Sequence, residues 1–133
     1  MPTSAGFETG FFAVEVETAS PVRDADDFAR AVILTICQAS VAPRVGRQAY
    51  ERCMRALSSG STARLGLRHP GKADAIDRVW QDRARYYRAY LDCSDKAAFL
   101  CDLPWIGPVT RRSLEWRLGL GKVGEGQSHR AAA

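Results

Sequence analysis

At 133 residues with 46% apolar content, the chain has the size and composition of one globular domain with a real core. No apolar run reaches the length of a membrane span, and the opening Met1-Pro2-Thr3-Ser4 has no basic segment running into an apolar one. Membrane and secretory classes are therefore set aside, and a cytoplasmic location is expected. The net charge of +4 is uneven: residues 1–40 sum to −4, 41–91 to +7, 92–102 to −2 and 103–133 to +3. Arginine supplies sixteen of the nineteen cations, which suits bidentate phosphate contacts. A basic centre favours nucleic acid as a partner, although a coding bias toward arginine produces the same count.

Residues 1–24 form an N-terminal arm with little pattern, in which Phe11 to Glu17 suits a short strand or an extended segment. From Asp26 to Ala39, Phe28, Ala31, Val32, Leu34, Ile36 and Cys37 predict a nearly all-apolar, central helix started by the Asp24–Asp27 cluster. Gln38 and Ser40 are polar at its end and are candidates for a pocket wall. A second helix is expected from Arg44 to Leu57, with Val45, Ala49, Cys53, Met54 and Leu57 on one face. Ser58 to Thr62 reads as a loop. After His69-Pro70-Gly71 come helical stretches at Lys72–Trp80 and Gln81–Leu91. The second interleaves Arg83, Arg85 and Arg88 with Tyr86, Tyr87 and Tyr90. Such a pattern either lines a nucleic-acid groove or packs its tyrosine rings inward. A short helix from Ser94 to Cys101, capped by Ser94, follows.

Cys37, Cys53, Cys93 and Cys101 are separated by 15, 39 and 7 residues and contain no CxxC pair. Only His69 and His129 add imidazole, so reduced core thiols are expected, with no metal and no cofactor.

The most informative stretch is Leu103-Pro104-Trp105-Ile106-Gly107-Pro108-Val109-Thr110, which leads into an arginine-rich amphipathic run ending at Leu118. A tight turn with Ile106 as its plug joins two helices. Gly107 lets the chain approach a phosphate, and Pro108 suits a first helical position. The first amides of the new helix face outward at the positive end of its dipole. Trp105, Gly107, Val109, Thr110, Arg111 and Arg112, with Arg83, Arg85 and Arg88, are the expected DNA-contacting residues. After Leu118 the pattern gives way to a glycine-punctuated tail, placed at 121–133. The expected fold is all-α, about six helices over residues 25–120 containing a helix-hairpin-helix.

Three segments resemble the helix-hairpin-helix superfamily of DNA glycosylases. Phe28 to Ser40 is similar to that family's buried helix with a polar end, Arg44 to Leu57 to the helix that follows, and Leu103 to Leu118 to the hairpin. The resemblance implies a glycosylase-like bundle, duplex DNA held by its phosphate backbone, and chemistry at the glycosidic carbon of a flipped nucleotide. The family's aspartate stands in an Asp-x-His sequence about two dozen residues after the hairpin leucine. Here Gln127-Ser128-His129 occupies that place, so Gln127 and His129, with the nearby Glu125, are the candidate catalytic residues. The family's Schiff-base lysine position is Val109, which excludes lyase chemistry by that route. Trp105 stands where the family has glycine. The phrase Trp105 to Thr110 followed by Leu118-Gly119-Leu120 also resembles a phage-associated branch implicated in thymine hypermodification.

Three functions follow as expectations. The first is a non-sequence-specific DNA-binding protein with weak or lost catalysis. The second is an active base-excision or hypermodification enzyme. The third is a helical module that docks a protein partner through Trp105 and Trp116.

Overall fold

The computed structural model describes residues 22–120. The expected strand near Phe12, the glycine-rich tail and the candidates Glu125, Gln127 and His129 lie outside the described residues. The chain divides into two compact units, Arg23–Leu114 and a second made of Met1–Val22 with Glu115–Ala133. Among the described residues there are six α-helices, one 3-10 turn and no strand. The fold is all-α. None of the helices among the described residues is long and apolar enough to cross a membrane.

Helix α1 spans Ala25–Gln38 and starts where Asp24 accepts from the Asp27 amide at 2.8 Å. Asp26 and Asp27 add negative charge beside the positive end of the helix dipole. Its buried residues are Phe28, Ala29, Val32, Ile33, Leu34, Thr35, Ile36 and Cys37, which leaves little wet surface. Thr35 satisfies its hydroxyl within the helix by donating to the Ala31 carbonyl at 2.8 Å. Helices α2 (Pro43–Ser58), α3 (Pro70–Gln81) and α4 (Arg83–Asp92) all pack on α1, so it is the central helix.

The turn from α1 to α2 passes through Ser40 at φ +64°, and Gln38 Nε2 donates to the Pro43 carbonyl at 3.0 Å. The two helices cross where Gly46 lies against Gln38. A Cβ at Gly46 would stand 2.5 Å from Gln38 Cγ and 2.6 Å from Gln38 Cα. On α2 the buried positions Gly46, Ala49, Cys53, Ala56 and Leu57 repeat at helical spacing and face the core. The 3-10 turn Ala63–Leu65 is tied to α3 by the Ala63 amide, which donates to Asp77 at 2.7 Å.

Helix α3 begins with His69 as its cap and Pro70 in the first position. Lys72, only 7% exposed, reaches back and donates its ammonium to the Ala39 carbonyl at 2.6 Å. That bond satisfies an orphan carbonyl at the negative end of α1. Helix α4 docks through aromatic rings: Tyr90 and Tyr87 lie 5.0 and 5.8 Å from the Phe28 ring. Tyr90 also meets Phe99 of α5 (Lys96–Cys101) at 6.2 Å. Lys96 crosses that joint, donating to the Tyr90 carbonyl at 2.7 Å and the Cys93 carbonyl at 3.1 Å. The cap of α5 is Asp95, which accepts from the Ala98 amide at 3.1 Å, one residue beyond the expected Ser94. A carboxylate at that place also complements the helix dipole, so it takes the cap from its neutral neighbour.

The α1–α2 crossing generates a stability prediction. Gly46→Ala drives a methyl group into the backbone and Cγ of Gln38 and is expected to destabilise by about 1–3 kcal/mol, as overpacking does. In a circular-dichroism melt this lowers Tm by several degrees, roughly 4–8 °C per kcal/mol for a domain of this size. An unchanged melt would show that the two helices do not cross this closely.

Candidate phosphate-binding turn

The segment between α5 and α6 (Pro108–Arg117) covers residues 102–107. The Ile106 amide donates to the Leu103 carbonyl at 3.2 Å, Pro104 holds the second position, and Trp105 in the third has φ +67°. That is the layout of a type II turn, in which proline sets the second φ and the third position calls for glycine. Tryptophan in the left-handed region costs on the order of 1–2 kcal/mol relative to a relaxed backbone. Leu100, Leu103, Ile106 and Leu114 are buried, so the turn is anchored from below by its aliphatic residues.

What holds Trp105 in this conformation is the start of α3. Its ring meets the His69 ring edge-on, with centroids 5.1 Å apart and an interplanar angle of 78°. A Cβ at Gly71 would lie 2.8 Å from Trp105 Cζ3, so only glycine leaves room for the indole there. His69 is fixed in turn, because its Nδ1 accepts from the Lys72 amide at 3.2 Å. Trp105 as a residue is still 43% exposed.

Gly107 precedes α6 and accepts the first helical bond from the Arg111 amide at 2.8 Å. It has no side chain with which to cap the amides of Val109 and Thr110. Among the described residues, a Cβ at Gly107 would meet nothing within 4 Å. Val109 is 83% exposed, Thr110 half-buried and Arg112 exposed. Arg111 is half-buried and directs Nη1 toward Cys101 Sγ at 3.9 Å, back over the end of α5. The turn therefore brings together Trp105, Gly107, Val109, Thr110 and Arg112 at an open helix start.

The α4 arginines are placed differently. Arg83 donates to Asp26 at 2.7 Å and to the Trp80 carbonyl at 2.7 Å, and its guanidinium lies 3.8 Å from the Trp80 ring centroid. It joins α4 to the first turn of α1. Arg85 pairs with Asp82 at 2.9 Å, and Arg88 is exposed. Tyr87 and Tyr90 turn their rings to Phe28, which is the inward packing that competed with a groove. Gln38 bridges the α1–α2 turn, and Ser40 is exposed. Neither lines the broad depression of about 520 Å³ beside α2, which is bounded by Tyr50, Glu51, Met54, Arg55, Ser58 and Ser59. Burial pushes the Tyr50 phenol pKa up.

All four cysteines are free thiols. Cys37 and Cys53 are buried, and the hydrogen bond to Cys53, reinforced by burial, pushes the Cys37 thiol well above its ordinary pKa. Among the described residues, no three His, Cys, Asp or Glu side chains gather where they could hold a metal ion.

Comparison with protein-family models, curated proteins and solved structures finds no match to this chain. The likeness to the glycosylase superfamily accordingly stands on the sequence segments alone. Within it, Trp105 at the glycine position now has a structural correlate. The sequence signalled the departure, but the partners that hold the ring, His69 and Gly71, sit more than thirty residues upstream.

The indole seat can be tested by substitution. Gly71→Ala puts a methyl group into the Trp105 ring and is expected to shift the emission of that tryptophan and lower Tm. His69→Asn retains an N-cap acceptor, whereas His69→Ala loses it and is expected to cost about 1 kcal/mol. Fluorescence and thermal melts that treat all three variants as wild type would refute this seating.

Proposed function

We propose that this chain is a non-sequence-specific DNA-binding protein that grips the phosphate backbone with the turn before α6, on a helical scaffold resembling the DNA glycosylases. The observation that carries the reading is the helix start at Gly107, which has no side chain and, among the described residues, open space where a Cβ would stand. The first amides of α6 follow Gly107, which has no side chain to accept from them, and the helix dipole favours an anion there. Exposed Arg112 adds a positive charge one turn on. Contacts of this kind fix a protein on a nucleic acid without reading its bases.

Catalysis in this reading is weak or lost. Gln127 has no charge with which to stabilise an oxocarbenium-like centre, and Val109 has no nucleophile. No observation on the described residues favours an enzyme over a binding protein.

The test separates binding from folding. Gly107→Ser supplies an N-cap hydroxyl that takes up the amides of Val109 or Thr110. It is expected to leave Tm unchanged or raise it slightly while weakening duplex binding, because the donors are now occupied. Arg112→Gln is expected to make the slope of log K against log salt shallower by about 0.9, the loss of one phosphate contact. Fluorescence anisotropy with a labelled duplex across a salt series measures both. Binding that is insensitive to salt, or equal for the wild type and both variants, would remove the turn from the interface.

A further inference from the structure

We propose that the outward side of α2, which carries Arg44, Arg47, Arg52 and Arg55, is a second contact surface for the phosphate backbone of a nucleic acid. This rests on the reading of the chain as a nucleic-acid-binding protein and extends the interface to residues outside the turn before α6.

Gly46, Ala49, Cys53, Ala56 and Leu57 commit one side of α2 to the core. Helical spacing puts positions 44, 47, 48, 51, 52 and 55 on the opposite side. All of them are exposed except Arg47, which is half-buried. Four arginines stand there against one acid, Glu51, for a net charge of +3. The protein does not neutralise them. Among the described residues the ion pairs engage Arg23, Arg30, Arg64, Arg83 and Arg85, and no guanidinium of α2. Arg52 is held in place, its Nε donating to the Gly66 carbonyl at 3.1 Å. The arrangement also runs against the stability of the helix. Arg44 sits in the first turn, where the dipole favours an acid and none is present. Arg44 and Arg47, like Arg52 and Arg55, are like charges three positions apart and hence neighbours on the helix surface.

The composition of this face identifies its partner. From Arg44 to Arg55 the helix rises roughly 16 Å, the reach of several successive phosphates along one strand. Each guanidinium presents a planar fork that matches two phosphate oxygens. A protein interface is built around an apolar core, and none of the outward positions is apolar. Tyr50 and Met54 are half-buried and lie to one side, in the wall of the depression beside α2. A bilayer surface takes up a helix by its apolar side, and in α2 that side is already in the core. What remains is a partner that offers dense negative charge without apolar surface, which describes a phosphate backbone.

The experiment titrates the full chain with a labelled blunt duplex by fluorescence anisotropy across a salt series. The wild type is compared with a variant that combines Arg44→Gln, Arg47→Gln and Arg55→Gln. Arg52 is left in place because it ties α2 to Gly66. The variant is expected to keep or raise Tm, since like charges are removed from one helix face. It is expected to lose at least about ten-fold in affinity at about 0.1 M salt, and to flatten the slope of log K against log salt by about 2.7, the loss of three phosphate contacts. Lysine at the same three positions is expected to restore the slope, because charge sets it. Arg78→Gln, at an exposed arginine of α3, is expected to leave the slope as it is in the wild type. A glutamine variant with the wild-type slope, a lysine variant that fails to restore it, or an Arg78→Gln loss equal to that of Arg55→Gln alone would each overturn this surface and leave the turn untouched. A loss confined to the α2 variants, with Gly107→Ser and Arg112→Gln binding as the wild type does, would keep this surface and remove the turn. Binding to phosphatidylserine vesicles without binding to the duplex would overturn both. Should the triple variant fail to fold, Arg47→Gln and Arg55→Gln decide singly, each expected to flatten the slope by about 0.9.

Discussion

Helix α1 buries eight of its fourteen residues, and the other helices are arranged by the need to cover them. Phe28, Val32, Ile33 and Ile36 are fully buried, and a helix apolar on nearly all sides is stable only inside a layer of others. Each covering helix solves a different local problem. Helix α2 comes close because Gly46 has no side chain to collide with Gln38. Helix α4 brings rings to Phe28 and keeps its own charge wet through the Arg83–Asp26 pair, in which both partners remain partly exposed. Helix α3 supplies Lys72. Its buried ammonium is tolerated because it meets the Ala39 carbonyl at the negative end of α1 rather than apolar surface.

The same first turn of α3 links the core to the surface site. His69, Gly71 and Lys72 are consecutive or nearly so, yet they face three tasks. Lys72 closes the end of α1, His69 caps its own helix, and His69 with Gly71 seats the Trp105 ring. A displacement of α3 relative to α1 would therefore be felt at Trp105, and a substitution at Gly71 acts on both. The turn before α6 is positioned by these contacts and by its own buried aliphatic residues Leu103 and Ile106.

Helices α1, α2 and α3 were legible in the sequence because each carries an apolar period and a recognisable start. Aspartates precede α1, and prolines open α2 and α3. The central place of α1 was legible too, since no other segment is apolar on so many faces. The side-chain partners were not. Arg83 reads as a cation beside tyrosines, and only folding brings it to Asp26, 57 positions away in the chain. Gln38 reads as a polar group at the end of a buried helix, whereas its amide is used within five residues to hold a turn. Ser94 and Asp95 are both competent caps, and the carboxylate prevailed by charge. At Trp105 the sequence marked a departure from glycine within a tight turn. It gave no sign that the ring would be met by residues 69 and 71.

An open, proline-led helix start is not by itself distinctive in this chain. Helix α2 also begins without a side-chain cap, after Ala42 and at Pro43, and it too has an exposed arginine and valine in its first turn. What separates the start of α6 is the pair of residues on either side of Ile106. Gly107 leaves open space where Ala42 carries a methyl group, and Trp105 keeps a costly backbone conformation that its contacts with α3 hold in place. Local rules are broken together most often where a protein uses the breach, because the surrounding structure must offset the strain. Two departures flanking one plugged residue on a basic helix start therefore weigh more than either alone, and they set this turn apart from the start of α2.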